Sequence, residues 1–231
     1  MHHFEQFVKH TNADDIHKIR VELKKIRTLL FIEDELHGRR HDKARKLIVK
    51  IFHQAAKIRE PQVSAQLVKE AGVTNARFFS DHRAAVAKEA KAFKRLVQRN
   101  ADRLVKTNAA VWKSFKDIST KKLAKLTQDL LSKIRQTYRP RLKQNELHES
   151  RKLIKRLVYI HGMTGKRTAQ RLLLKVDPLR KLEEAVGKWH DVVLTMELLK
   201  KIPGGTRKMK KLSAVKNLHL NSAKKLTKAA L

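Results

Sequence analysis

The chain contains no cysteine. Disulfides and thiolate metal sites are therefore closed to it, and a reducing compartment suits it. Glycine and proline are scarce, at 7 and 4 of 231 residues, and aromatics make up only 5%. That composition suits a mostly helical protein with short connections. It also leaves too few rings for a surface on which single-stranded bases stack. No apolar run approaches the ~20 residues that span a bilayer. The opening MHHFEQFVKH is too polar for a signal peptide, and His2 and His3 are too few for a purification tag. A soluble, cytoplasmic protein is the simplest expectation. Acidic residues are short as well: Asp and Glu total 22 against 55 Lys and Arg, a net charge of +33.

What is present is an apolar share of 41%, enough for a sizeable core in one large domain or two small ones. Apolar residues recur at spacings of three and four in nearly every long segment, and no strand alternation stands out. The fold class is all-α. Self-repulsion from +33 charges opposes a compact state unless a polyanion offsets it. The partner should therefore be nucleic acid, inorganic polyphosphate or an anionic membrane surface.

The pattern predicts a short partial helix over 1–12 and a first long helix from Asp14 to Gly38, started by Asn12, Asp14 and Asp15. A second helix is expected from His41 to Arg59, bounded or kinked at Pro61, with a third short one to Ala71. One long amphipathic helix should cover Thr74 to Thr107, and a short one Ala109 to Phe115. Ser119 or Thr120 caps the next, which Pro140 interrupts or bends. Helices follow over Asn145–His161, Thr168–Val176, from Asp177-Pro178, and over Thr206–Ala229, with a turn at Gly162 and Gly165.

One stretch stands apart. In IHKIRVELKKIRTLLFI (Ile16 to Ile32), His17, Arg20, Lys24 and Arg27 fall in a stripe about 80° wide on a helix. Ile16, Ile19, Leu23, Ile26 and Leu30 form a core-seeking face beside it. LHESRKLIKRLVY (Leu147 to Tyr159) repeats the device: His148, Arg151 and Lys155 take the spacing of His17, Arg20 and Lys24, and Arg156 that of Lys25. His148 lies 131 residues after His17. AAKIREPQVSAQLV, from Ala55, and VGKWHDVVLTMELL, from Val186, keep the same shift. Two separate blocks sharing one offset indicate an internal repeat. A cationic stripe on a lone helix is ordinarily a solvated face. Two in register argue for ligand contact. Arg offers a fork to phosphate oxygens and Lys a point charge, and one helical turn, about 5.4 Å, separates successive grips. If the repeats face each other, the stripes share a groove that focuses their field.

Other matches fail. HESRK at His148 has no second zinc-binding histidine, and GMTGKRT at Gly162 spaces its glycines too closely for a phosphate loop. No E-x-E-x-K triphosphatase pattern occurs. Trp112 and Trp189 sit in apolar patterns and read as core. Neither His17 nor His148 has a carboxylate cluster beside it, so catalysis lacks partners; no metal or cofactor is expected. Arg59-Glu60 and His190-Asp191 read either as pairs orienting the basic helices or as surface ion pairs.

HKIRVELKKIRTLL and HESRKLIKRLVY, with KIREPQV and KWHDVVL downstream, make the chain resemble a CHAD domain over essentially its whole length. The resemblance implies a single domain over 1–231 with halves at 1–110 and 111–231. It implies two pseudo-symmetric four-helix bundles around a basic central groove. It implies a non-enzymatic binder of inorganic polyphosphate, recruited to polyphosphate granules and associated with polyphosphate-metabolising enzymes. The ligand residues it implies are His17, Arg20, Lys24, Lys25 and Arg27, then His148, Arg151, Lys152, Lys155 and Arg156. Val158 stands where Arg27 has its partner, so the second stripe is one cation short. A sequence-independent nucleic-acid binder is the alternative, since the same charge supports it. A phosphohydrolase using His17 or His148 ranks below both.

Overall fold

The computed structural model describes residues 13–38, 41–116, 118–138 and 144–230. No strand occurs among them. The expected helix over 1–12, the caps at Asn12 and the Asp14 side chain, and the bend at Pro140 lie outside the described residues. The chain forms two compact units, Met1–Asp117 and Ile118–Leu231.

The first unit holds α1 (Ala13–His37), α2 (Asp42–Glu70), α3 (Ala76–Gln98) and α4 (Ala101–Lys116). α1 packs between α2 and α4, and α3 packs on the other side of α2. The α1 face read from the sequence is buried: Ile16, Ile19, Leu23, Ile26 and Leu30. It meets Ile48, Ile51, Ala55 and Ile58 of α2 and Val111 and Phe115 of α4 in the core. α1 stops where Gly38 takes φ +63, the left-handed conformation glycine permits. Its last turn is held by polar contacts. Glu33 is 0% exposed, with His37 Nδ1 at 3.3 Å and His41 Nε2 at 3.7 Å. Asp34 pairs with Arg45 of α2.

Two expectations are corrected here. Pro61 neither ends nor divides α2, which runs on to Glu70. Proline removes one helical hydrogen bond. Ile58 before it and Val68 after it are both fully buried, and packing on α3 carries the helix through. The helix expected over Thr74–Thr107 is two helices, broken at Arg99 and Asn100, whereas Asn108 lies inside α4. Asn100 Nδ2 donates to the Leu96 carbonyl at 2.9 Å, and this side-chain bond ends α3 early.

The second unit holds α5 (Thr120–Thr137), α6 (Gln144–Met163), α7 (Lys166–Arg171), α8 (Val176–Leu199) and α9 (Met209–Ala230), with a 3₁₀ turn over Gly205–Lys208. Ser119 caps α5, its hydroxyl accepting from the Lys122 N–H. α6 packs between α5 and α8, and α9 packs on α8. The flanking helix of the stripe-bearing element thus follows in the chain in the first unit (α4) and precedes it in the second (α5). Gly162 lies within α6 rather than in a turn. The helix expected over Thr168–Val176 is the shorter α7, because Leu172 is fully buried and Leu173 turns the chain at φ +53. Gly205 is required by space: a Cβ there would sit 2.3 Å from the Leu199 carbonyl oxygen.

Candidate functional site

The buried face of α1 fixes where its cations point. The stripe lies beside that face, so it runs along the seam with α2. Phe52 of α2 organises this seam. The guanidinium carbon of Arg20 lies 4.4 Å from the Phe52 ring centroid and that of Arg27 4.6 Å. Arg20 Nη1 also donates to the Phe52 carbonyl oxygen at 3.2 Å. Two arginines two helical turns apart are gathered on one ring, each held by a cation–π attraction of about 0.5–1 kcal/mol. Among the described residues neither forms an ion pair. Burial pulls the pKa of Arg20 below the ordinary guanidinium value; Glu60 offsets this and Arg59 and Arg27 add to it. Burial and then Arg45 do the same to Arg27. Both stay charged at neutral pH, and a polyanion would relieve the crowding.

The second unit solves the same seam differently. Glu183 of α8 stands 131 residues after Phe52. Its Oε1 lies 3.1 Å from Arg151 Nη2 and 3.1 Å from Lys155 Nζ. The three side chains are half-buried, at 24% for Arg151 and 25% for Lys155 and Glu183. Arg151 lies flat over Gly187, where a Cβ would fall 3.1 Å from Nη2. Its Nε is buried without a hydrogen-bond partner.

At the head of the stripes, His17 is exposed on α1 and His148 half-buried on α6. The His148 ring lies 5.2 Å from that of His190 on α8, at 46°. Burial lowers the pKa of His148; Lys152 and Arg151 add to this and Glu149 opposes it. Burial lowers His190 too, with His148, Arg151 and Lys155 adding and Glu197 opposing. Both shifts favour the neutral ring at pH 7.

The ten sequence-predicted residues therefore divide. Arg20 and Arg27 converge on Phe52, and Arg151 and Lys155 on Glu183. Lys24 and Arg156 are half-buried on the same two helices. Lys25 turns to Glu22 at 2.6 Å, and Lys152 to Glu149 at 2.8 Å, both in exposed surroundings where such pairs contribute little. The expected Arg59-Glu60 pair is absent among the described residues, because adjacent helical residues point apart. Arg59 donates to Gln62 at 3.4 Å, and the Glu60 charge acts on Arg20 instead. Trp189 is core at 4% exposure, and Trp112 packs edge-on against Phe115.

Phe52, Glu183 and Gly187 escape sequence reading, since a phenylalanine reads as core and a glutamate as surface. Carrying the 131-residue shift to every position would have set Phe52 against Glu183. Elsewhere, a groove of about 490 Å³ opens between α2 and α3, lined by Pro61, Ala65, Phe79 and Val86 among others. Its α2 wall begins nine residues past Phe52, further along the helix. Among the described residues no three His, Asp or Glu side chains are grouped to hold a metal, and no helix is long and apolar enough to cross a membrane.

The profile of the CHAD domain matches residues 1–200. The chain belongs to the CHAD domain family. No curated protein and no solved structure matches it. The CHAD match takes in α1 to α8, and so both stripes and both seams, while α9 lies past its end.

Proposed function

We propose that this CHAD protein binds inorganic polyphosphate along the α1 and α6 stripes, by charge and charge-assisted hydrogen bonds and without chemistry. The observation that carries the reading is the Arg20–Phe52–Arg27 arrangement, which holds two full positive charges on one ring, Arg20 half-buried and Arg27 exposed to solvent. Guanidinium groups preset in this way grip phosphate oxygens without first losing rotamer freedom. His17 and His148 head the stripes as hydrogen-bond donors to the chain, Lys24, Lys155 and Arg156 extend the grip, and Lys25 and Lys152 supply outer charge. Recruitment to polyphosphate granules, and proximity to enzymes that make or degrade the polymer, would follow from that affinity.

The experiment is a titration with long-chain polyphosphate. Replacing Arg20, Lys24, Arg151 and Lys155 by Ala should abolish binding while helicity is retained. Survival of near-original affinity would show that the stripes are not the site. Excess duplex DNA or RNA should fail to displace the polymer; ready displacement would favour a general reader of nucleic-acid backbone. Phosphate release, with or without Mg²⁺, would point to hydrolysis instead.

A further inference from the structure

Glu183 stands 131 residues after Phe52, and each meets two cations of the stripe-bearing helix in its own unit. One carboxylate oxygen sits 3.1 Å from a guanidinium and 3.1 Å from an ammonium group one helical turn apart on α6. An oxygen of a bound phosphate chain would call on the same two donors. We propose that Glu183 is a built-in competitor for the anion, filling the Arg151–Lys155 subsite until a polyphosphate chain displaces it. This rests on the polyphosphate reading above.

Three features of the seam fit displacement better than a permanent brace. Glu183 is carried by α8 and both its partners by α6, so turning it away leaves the cationic pair intact. At 25% exposure its side chain has water to turn into. It also satisfies Arg151 incompletely, meeting Nη2 while Nε keeps no partner. A fork that meets a carboxylate through one nitrogen is less than the bidentate pair the two groups can form. The consequence is selectivity. Arg151, Lys155 and Glu183 together carry one net positive charge, whereas Arg20 and Arg27 around Phe52 carry two. A weakly charged anion gains too little to expel the carboxylate. A polymer with many phosphates on one chain gains enough, because contacts elsewhere raise its local concentration at this subsite. Glu183 thus makes the α6 stripe answer to chain length.

The test is Glu183→Gln, which keeps shape and removes charge. Polyphosphate affinity at low salt should rise about five-fold, the effect of one unit charge at contact in a watery setting. The slope of log K against log salt should steepen by about 0.7–0.9, one further phosphate contact. Orthophosphate or a short oligophosphate should gain proportionally more than the long chain. The reciprocal variant, Phe52→Glu, should weaken binding beyond Phe52→Gln, which controls for the lost ring. Circular dichroism and thermal melting check that each variant folds. If the wild type binds and Glu183→Gln is no tighter, the competitor is refuted and polyphosphate binding stands. Weaker binding by Glu183→Gln would refute it too, and make Glu183 a brace. If the wild type binds no polyphosphate, both readings fall.

Discussion

Phe52 holds two guanidinium groups with one ring. Phe52→Leu keeps most of the apolar contact but removes the quadrupole that attracts both charges. Stability should fall by about 1–2 kcal/mol, the sum of two such contacts, read by urea unfolding. Polyphosphate affinity should drop several-fold, because Arg20 and Arg27 lose their preset position. The paired rings of His148 and His190 make a second prediction. Their folded-state pKa values lie below the ordinary 6.5. On acidification the unfolded chain therefore takes up protons first, and stability falls as the pH drops below about 6.5. Above that value the pair's contribution is complete. A bound polyanion favours the charged rings and reverses the sense. Binding should take up protons near pH 6, and affinity should rise between about pH 7 and 6. Calorimetry in buffers of different ionisation heat measures the uptake, which His148→Asn with His190→Asn should reduce. At this scale the cationic residues and the apolar face beside them were legible, since both follow from helical spacing. Their partners were not. Which residue of α2 or α8 meets the stripe depends on packing, and no local pattern encodes it.

The long helices were legible by their faces and less so by their ends. α1 and α6 lie within about two residues of their expected bounds, although of the signals read only Gly38, at the end of α1, marks an observed end. α2 and α3 were misjudged because local signals lost to tertiary ones, a buried run carrying through Pro61 and one Asn100 side chain stopping a helix. Glu33 shows how firmly one element end is fixed. It is fully buried between α1, the start of α2 and Ser114 of α4. Burial raises its pKa, but Ser114, His37 and His41 lower it further, and the net shift is downward. Its contribution is therefore present above about pH 4.5 and is lost as the pH falls through the lower folded value. Glu33→Ala should destabilise the first unit by about 1–2 kcal/mol, the scale of losing a hydrogen bond to a charged group. Chemical denaturation at pH 7 checks this. Most of the loss should vanish at acidic pH, where the carboxyl is protonated in either state.

Over the whole molecule the net charge of +33 outweighs any single contact. Its self-repulsion weakens as salt shortens the screening length from about 30 Å at 0.01 M to about 8 Å at 0.15 M. The melting temperature should therefore rise over that range. Adding polyphosphate at low salt should raise it much further than added chloride, because a polyanion that binds only the folded form stabilises it by mass action. An equal rise with both would mean that screening alone is at work. The all-α class and the 131-residue shift were legible in the sequence, but not the origin of each flanking helix, since α4 and α5 carry no mark of the neighbour each will choose. Those choices have a consequence. Each unit draws its four long helices from one unbroken stretch of polypeptide, divided at Asp117 and Ile118. A single genetic crossover there would copy, lend or discard a whole half, with its own stripe and seam.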